Sequence, residues 1–193
     1  MSSTNRSEAR KEHISDYYVT PQDQIELFLK EFEKDCDIFK RKFVNILDPC
    51  AGGDEAHEMS YPAVIKRLYN KDVDTIDIRP DSLAKNKYDY LEFGLDYEPD
   101  VIITNPPFNK AIEIINTALE DVSEGGLVIM LLRLNFFESN ARFEFFKKQM
   151  PICTYVHHNR MSFTDDGKTD SVAYCHMVFR KGYDGNVTHL RVI

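Results

Sequence analysis

Asn105-Pro106-Pro107-Phe108 places a side-chain amide, two backbone carbonyls with no N–H beside them and an aromatic ring in four consecutive residues. Two prolines in sequence remove two backbone donors and fix φ at both positions. Asn105, which precedes a proline, is pushed to an extended conformation. A loop this stiff can accept both hydrogens of a planar N–H₂ group while its ring stacks on the attached base. The bland alternative is a proline-rich turn with no function, and four residues alone do not decide between the two.

Chemistry of this kind needs a rigid frame. The apolar run Val101 to Thr104 reads as a buried strand, which puts Asn105 at the carboxyl end of a strand, where α/β sheets bind ligands. Phe43 to Leu47 reads as another buried strand and runs into Asp48-Pro49-Cys50-Ala51-Gly52-Gly53-Asp54. Its small residues let a backbone approach a ligand closely, but this is not the dinucleotide G-x-G-x-x-G pattern. Val73 to Ile78 is a third strand, and its Asp77 stands 24 residues after Gly53. An acid in that position commonly binds ribose hydroxyls; the alternative is a surface aspartate at a strand end.

Helical stretches separate the strands. Thr20 is placed to cap a helix with Pro21 at its first position, followed by Ile25, Phe28, Leu29 and Phe32. Pro62 to Tyr69 follows, with Ser60 as a capping candidate, and then Asn109 to Val122, with Asn109 as cap. A strand over Leu127 to Leu132 precedes a helix over Asn140 to Met150 that offers Phe143, Phe145 and Phe146 to the core. Ile152 to Val156 and Ser171 to Phe179 read as two further strands, while the adjacent His157 and His158 diverge and do not suggest a metal site. Alternating strands and helices imply a mainly parallel sheet with helices on both faces.

Asn105-Pro106-Pro107-Phe108 resembles the N-P-P-[YF] signature of S-adenosylmethionine-dependent methyltransferases that modify amino or amide nitrogens. Asp48-Pro49-Cys50-Ala51-Gly52 resembles their motif I, although Asp54 stands where family sequences usually carry a further glycine. Tyr18, Thr20 and Pro21 are similar to motif X, and Asp89-Tyr90-Leu91 to motif III. The Arg160 to Phe163 and Gly167 to Ser171 pieces resemble small phage-type adenine methyltransferases. The resemblance implies a Rossmann-like class I fold with a seven-stranded sheet ending in an antiparallel hairpin. It implies S-adenosylmethionine as cofactor and no metal. Cofactor contacts would come from Tyr18, Thr20 and Pro21 at the methionine carboxylate, Asp48 to Gly52 along the glycine loop, Asp77 and Ile78, Asp89 and Tyr90 at the adenine, and Asn105. The catalytic loop would be Asn105, Pro106, Pro107 and Phe108. Substrate contacts would come from Phe108, Lys110, Arg133, Arg160, Phe163 and Lys168. The expected reaction is methylation of adenine N6 in DNA, with RNA adenine N6 or protein glutamine N5 as alternatives. A non-catalytic cofactor-binding partner subunit is a third reading. Cys50 is misplaced for the nucleophile of cytosine C5 methyltransferases, because it sits in the glycine loop.

The chain of 193 residues suits one domain over residues 16–193 after a disordered tail at 1–15, with no separate target-recognition domain. No apolar run approaches the ~20 residues of a membrane span, and no secretory leader opens the sequence. A cytoplasmic protein is expected. The four cysteines form no C-x-x-C pair, which argues against a zinc site or a disulfide framework. The net charge of −8 is unevenly spread: residues 133–193 carry 9 basic and 6 acidic side chains, against 15 and 26 before them. That locally positive third could meet a polyanion such as DNA, or could simply be solvated surface. Whether the chain is a monomer or a homodimer is left open by the sequence.

Overall fold

The computed structural model describes residues 18–164, 167–169 and 171–193, so the tail expected at 1–15 lies outside the described residues. In chain order the elements are α1 (Gln22–Phe32), β1 (Ile46–Asp48), α2 (Ser60–Tyr69), β2 (Asp74–Asp77), β3 (Asn86–Lys87) and β4 (Val101–Thr104). Then come α3 (Ala111–Asp121), β5 (Leu127–Arg133), α4 (Asn140–Phe146), β6 (Cys153–Val156), β7 (Tyr174–Arg180) and β8 (His189–Val192). The strands build one sheet in the order β3-β2-β1-β4-β5-β7-β6-β8. Every neighbouring pair is parallel except the two that β7 makes with β5 and β6.

Period-two alternation assigns the side chains of this sheet to two faces. Ile102, Val128, Met130, Leu132, Cys175, Met177 and Phe179 face one side, where α3 and α4 cover them. Val101, Ile103, Leu127, Ile129, Tyr155 and Val178 face the other, under α1 and α2. The helices match this need: Ile25, Phe28, Leu29 and Phe32 recur at helical spacing on the buried face of α1. Ala111, Ile114, Ile115, Ala118 and Leu119 do the same on α3. Each large side chain buried this way contributes about 1.5–3 kcal/mol. A third, smaller cluster of Leu131, Met161, Phe163 and Tyr174 packs beyond the carboxyl ends of the central strands, with Tyr18 and Phe108 against it.

The fold class agrees with the expectation, and the differences lie at the margins. Among the described residues the sheet has eight strands rather than seven, because β8 adds parallel to β6 beyond the expected hairpin. The strand expected from Phe43 begins only at Ile46, and Phe43 itself is 82% exposed. The helix expected to reach Met150 ends at Phe146, and Phe143 faces solvent while Phe145 and Phe146 are buried. None of the expected caps operates: Pro21, Met59 and Lys110 occupy the cap positions of α1, α2 and α3, without side-chain bonds. At α4, Ser139 does cap, accepting from the Arg142 N–H at 3.4 Å. Among the described residues no helix is long and apolar enough to cross a membrane.

Candidate functional site

Three adjacent strands of this sheet end in polar residues. In the order β2-β1-β4 they terminate with Asp77, Asp48 and, one residue past Thr104, Asn105. The chain runs from β1 outward to β2 and β3, then crosses back to β4 on the other side of β1. The carboxyl ends of β1 and β4 therefore flank a topological switch point, where open α/β sheets bind ligands. A cleft of about 420 Å³ opens there, within the ~300–1,000 Å³ range of small-molecule sites.

The floor of the cleft is the loop after β1. Its Ala51 N–H donates to the Ile76 carbonyl at 3.0 Å, and its Gly52 N–H donates to Asp77 Oδ2 at 2.7 Å. Asp77 Oδ1 accepts the Arg79 N–H at 2.8 Å, so one carboxylate ties the glycine loop to the end of β2. Gly53 has φ +78°, and a Cβ there would come within 2.9 Å of Met59 Cγ and 3.0 Å of Leu83 Cβ. A side chain at that position is thus opposed by both conformation and space. Asp54, the departure from the motif, keeps a negative φ and turns inward: its Oδ1 accepts the Ala56 and His57 N–H groups, both at 2.8 Å. Burial pushes the Asp48 carboxyl up to about 7, with the nearby charge of Asp77 adding to the effect. Burial also raises the Cys50 thiol well above its ordinary range, helped by Asp48 and Asp77. It stays a thiol, which disfavours a nucleophile.

The wall formed by the 105–108 loop is held from a distance. Asn105 Nδ2 donates to Thr20 Oγ1 at 3.0 Å, across 85 residues of sequence. Asn105 Oδ1 is buried and, among the described residues, has no hydrogen-bond partner. The Pro107 carbonyl accepts the Lys110 N–H at 2.9 Å. The Phe108 ring has the Arg133 guanidinium over one face at 4.7 Å and the Tyr174 ring at 6.0 Å.

Most of the residues singled out in the sequence meet in this cleft. Tyr18, Thr20, Asp48 to Ala51, Asp77, Ile78, Asp89, Tyr90, the 105–108 loop and Lys110 all line it. Pro21 and Gly52 lie behind the lining, at the α1 start and within the loop. Arg133 reaches the site through Phe108, whereas Arg160 and Lys168 are exposed outside the lining. Phe163 is 5% exposed, against Tyr174 at 4.8 Å and edge-on to Tyr18 at 6.1 Å. In this position Phe163 offers no open face to a base; Tyr18, which packs against it, lines the cleft. Thr20 was expected to cap α1, but Pro21 takes the cap position and the Thr20 hydroxyl accepts from Asn105 at the cleft lining. Sequence reading missed Tyr61, Arg79, Glu92 and Glu113, which also line the cleft. Tyr61 and Arg79 belong to no motif, but both are almost fully buried.

Behind Tyr61 runs a buried polar chain. The Tyr61 hydroxyl lies 2.9 Å from His176 Nε2, His176 Nδ1 lies 2.8 Å from His157 Nε2, and His157 Nδ1 lies 3.2 Å from Gln24 Oε1. Burial holds His157 down to about 4 and His176 well below its ordinary value, each further lowered by a neighbouring histidine. Both rings are neutral in the fold, whereas an unfolded chain protonates them below about 6.5. Their contribution to stability is therefore present above ~6.5 and lost as pH falls below it. Asp48 acts oppositely: raised to about 7, it keeps its proton in the fold where the unfolded chain has lost it, so stability rises as pH falls from about 7 towards 3.8. Two histidines against one aspartate leave the unfolded state with about one extra proton between pH 6 and 5. Stability measured by urea unfolding should fall by about 1 kcal/mol over that unit. A rise over the same interval would show that the histidines are not held neutral.

Among the described residues no group of three His, Cys, Asp or Glu is placed to hold a metal ion. No protein-family model matches the sequence, and no curated protein does. Solved structures do match in shape. A protein from Listeria monocytogenes assigned to the class I S-adenosylmethionine-dependent methyltransferases is 18% identical, with a TM-score of 0.66 over 95% of this chain and 68% of its own. A protein from Pyrococcus horikoshii assigned as an RNA methyltransferase is 16% identical, with a TM-score of 0.63 over 86% and 88%. The M protein of the type I restriction enzyme EcoKI is 16% identical, with a TM-score of 0.57 over 91% of this chain and 48% of its own. This chain therefore spans about half the length of that restriction subunit. The shared architecture, a largely parallel sheet closed by an antiparallel strand near its C-terminal end, is the class I S-adenosylmethionine-dependent methyltransferase fold.

Proposed function

We propose that the cleft binds S-adenosylmethionine and that the chain transfers its methyl group to the exocyclic N6 of adenine in DNA. The observation that carries this reading is the Asn105 amide, whose nitrogen is committed to Thr20 while its buried oxygen has no donor among the described residues. An orphaned buried acceptor costs about 1–3 kcal/mol, and an N–H from a ligand would relieve it. The cleft also suits the cofactor electrostatically. Asp77, Asp89, Glu92 and Glu113 line it against Arg79 and Lys110, and Arg79 pairs with Asp81 and Lys110 with Glu113. Such a net negative site repels a pyrophosphate and attracts a sulfonium.

When bound, S-adenosylmethionine supplies an electrophilic methyl group. Asp77 would hold the ribose hydroxyls with its remaining lone pairs. Asp89, whose Oδ1 already accepts the Leu91 N–H at 2.9 Å, would take the adenine amino group of the cofactor. Ile78, 59% exposed, offers that adenine an apolar face. On the substrate side, Asn105 Oδ1 and the Pro106 carbonyl would accept the two amino hydrogens, drawing the nitrogen lone pair out of ring conjugation. Phe108 would stack on the base with the face not covered by Arg133. A base in duplex DNA must first be extruded, at a cost of a few kcal/mol.

Two structural neighbours bear on the substrate, one from a restriction enzyme and one assigned to RNA methylation. Mass spectrometry of nucleosides after incubation with labelled cofactor would compare DNA, RNA and a glutamine-containing peptide. N6-methyladenine from DNA is expected. Transfer only to RNA or peptide would move the substrate, and cofactor binding without any transfer would favour a partner subunit. The exposed Arg160 and Lys168 lie in the basic third of the chain. Replacing both with alanine should lower the salt slope of DNA affinity by about 2, with cofactor affinity unchanged. An unaltered slope in a titration from low to high salt would make both residues ordinary surface charges.

A further inference from the structure

We propose that Gln24, His157 and His176 form a positioning brace for the Asn105 amide, a role that rests on the reading of Asn105 given above. Gln24 Nε2 donates to Asp23 Oδ2 at 3.0 Å, which leaves Oε1 facing His157 Nδ1 at 3.2 Å. An amide oxygen only accepts, so His157 carries its proton on Nδ1. Its Nε2 then accepts from His176 Nδ1 at 2.8 Å, and His176 Nε2 accepts from the Tyr61 hydroxyl at 2.9 Å. A single direction of donation satisfies every nitrogen of two neutral rings. Phe28 of α1 holds the plane of His176, with ring centroids 4.0 Å apart and 9° between planes.

Both ends of the brace return to the cleft. Tyr61 lines it from the start of α2. At the other end Gln24 stands in the first turn of α1, four residues after Thr20, whose hydroxyl receives Asn105 Nδ2 at 3.0 Å. Among the described residues no side chain caps α1; Gln22 ties its first turn to Glu58 and to Arg67 of α2, and the Gln24–His157 bond ties it to the residue that follows β6. That turn decides where Thr20 Oγ1 stands, and Thr20 Oγ1 decides which way the Asn105 amide faces. Connected buried hydrogen bonds of this sort are stiff when every member is satisfied. A shift of about 1 Å at a group that grips the reacting atom can cost ~10²-fold in rate.

The test combines a readout needing no substrate with a kinetic one. In the wild-type protein, nitrogen-15 NMR should find His157 and His176 both protonated on Nδ1 and both neutral at pH 6; either ring protonated on Nε2 overturns the proposal. His157→Leu breaks the chain, whereas His157→Gln keeps one donor and one acceptor. In His157→Leu the two Asn105 side-chain amide protons should broaden or move, while affinity for S-adenosylhomocysteine stays within about twofold. Unmoved Asn105 signals overturn the brace even if no nucleic acid is methylated, so its failure is separable from failure of the adenine reading. With a DNA oligonucleotide as substrate, kcat should fall about tenfold or more in His157→Leu with KM little changed, and recover in His157→Gln. Equal kcat in all three proteins overturns it. If His157→Leu does not fold, Gln24→Ala, at the α1 end of the chain, is measured in the same way, with Gln24→Glu as its rescue. Moved Asn105 signals with a lowered kcat then support the brace, and unmoved signals or an equal kcat overturn it.

Discussion

Asn105→Ala is expected to lose about 10² to 10³ in turnover while folding normally and binding cofactor nearly as well as wild type. The loss should be confined to the chemical step, because the oxygen removed would meet the target amine more strongly in the transition state than in the ground state. Folding is spared because, among the described residues, Asn105 Oδ1 has no partner to lose, and the bond from Nδ2 to the Thr20 hydroxyl is a single contact at the cleft wall. Asn105→Asp is the sharper comparison. It keeps one oxygen for the amine, and the other can accept from the Thr20 hydroxyl, which is able to reverse and donate. Partial activity in the Asp variant beside a nearly dead Ala variant would identify acceptance from the amine as the role. Near-wild-type turnover in all three proteins would return the loop to a stiff turn with no chemistry.

The second large effect is expected at Asp77. Its carboxylate holds Gly52 and Arg79 through their backbone N–H groups at 2.7 and 2.8 Å, and its remaining lone pairs are offered to the ribose. Losing charge-assisted bonds of this kind costs about 1.5–3 kcal/mol, so Asp77→Ala should weaken cofactor affinity roughly 10- to 150-fold. Calorimetric titration with S-adenosylhomocysteine measures this directly. Because the side chain also props the loop, a modest drop in the thermal midpoint should accompany it. A lowered midpoint with unchanged affinity would mean that Asp77 supports the loop and does not touch the ligand.

How much of this was legible in the sequence depends on whether the signal was local. The apolar run at Val101 to Thr104, bounded by Asp100 and a proline pair, could hardly be anything but a buried strand, and β4 has those bounds. The asymmetry of α3, with its apolar residues on one face, was equally plain. What escaped was set by distant partners. Thr20 looks like a cap because capping is a local rule, yet its hydroxyl is claimed by Asn105, 85 positions away. Phe163 looks available in a polar segment, but the third cluster buries it against Tyr174. Strand β8 carries exposed Leu190 and Val192 about a half-buried Arg191, so it shows no inward apolar face by which sequence could have found it. The histidine chain unites four residues from two helices and the end of the sheet, none of which forms a motif with its neighbours.

The position of α1 on the sheet has a consequence for the order in which the molecule can be completed. This helix comes early in the described chain, yet it lies on two of the last strands: Phe28 stacks on His176 of β7 and meets Tyr155 of β6 edge-on at 5.3 Å. Asp35, just beyond the helix, pairs with Arg191 of β8 at 2.8 Å. β7 itself must enter between β5 and β6 before its neighbours have their full complement of backbone partners. During synthesis, α1 can therefore meet α2 and the first strands early, but its seat on the sheet is incomplete until residues near 176 have appeared. The grip of Thr20 on Asn105 can close only after α1 is seated. A nascent or truncated chain can hold a formed glycine loop and central strands yet lack an oriented amide, so competence for chemistry would arrive last, with the closing of the sheet.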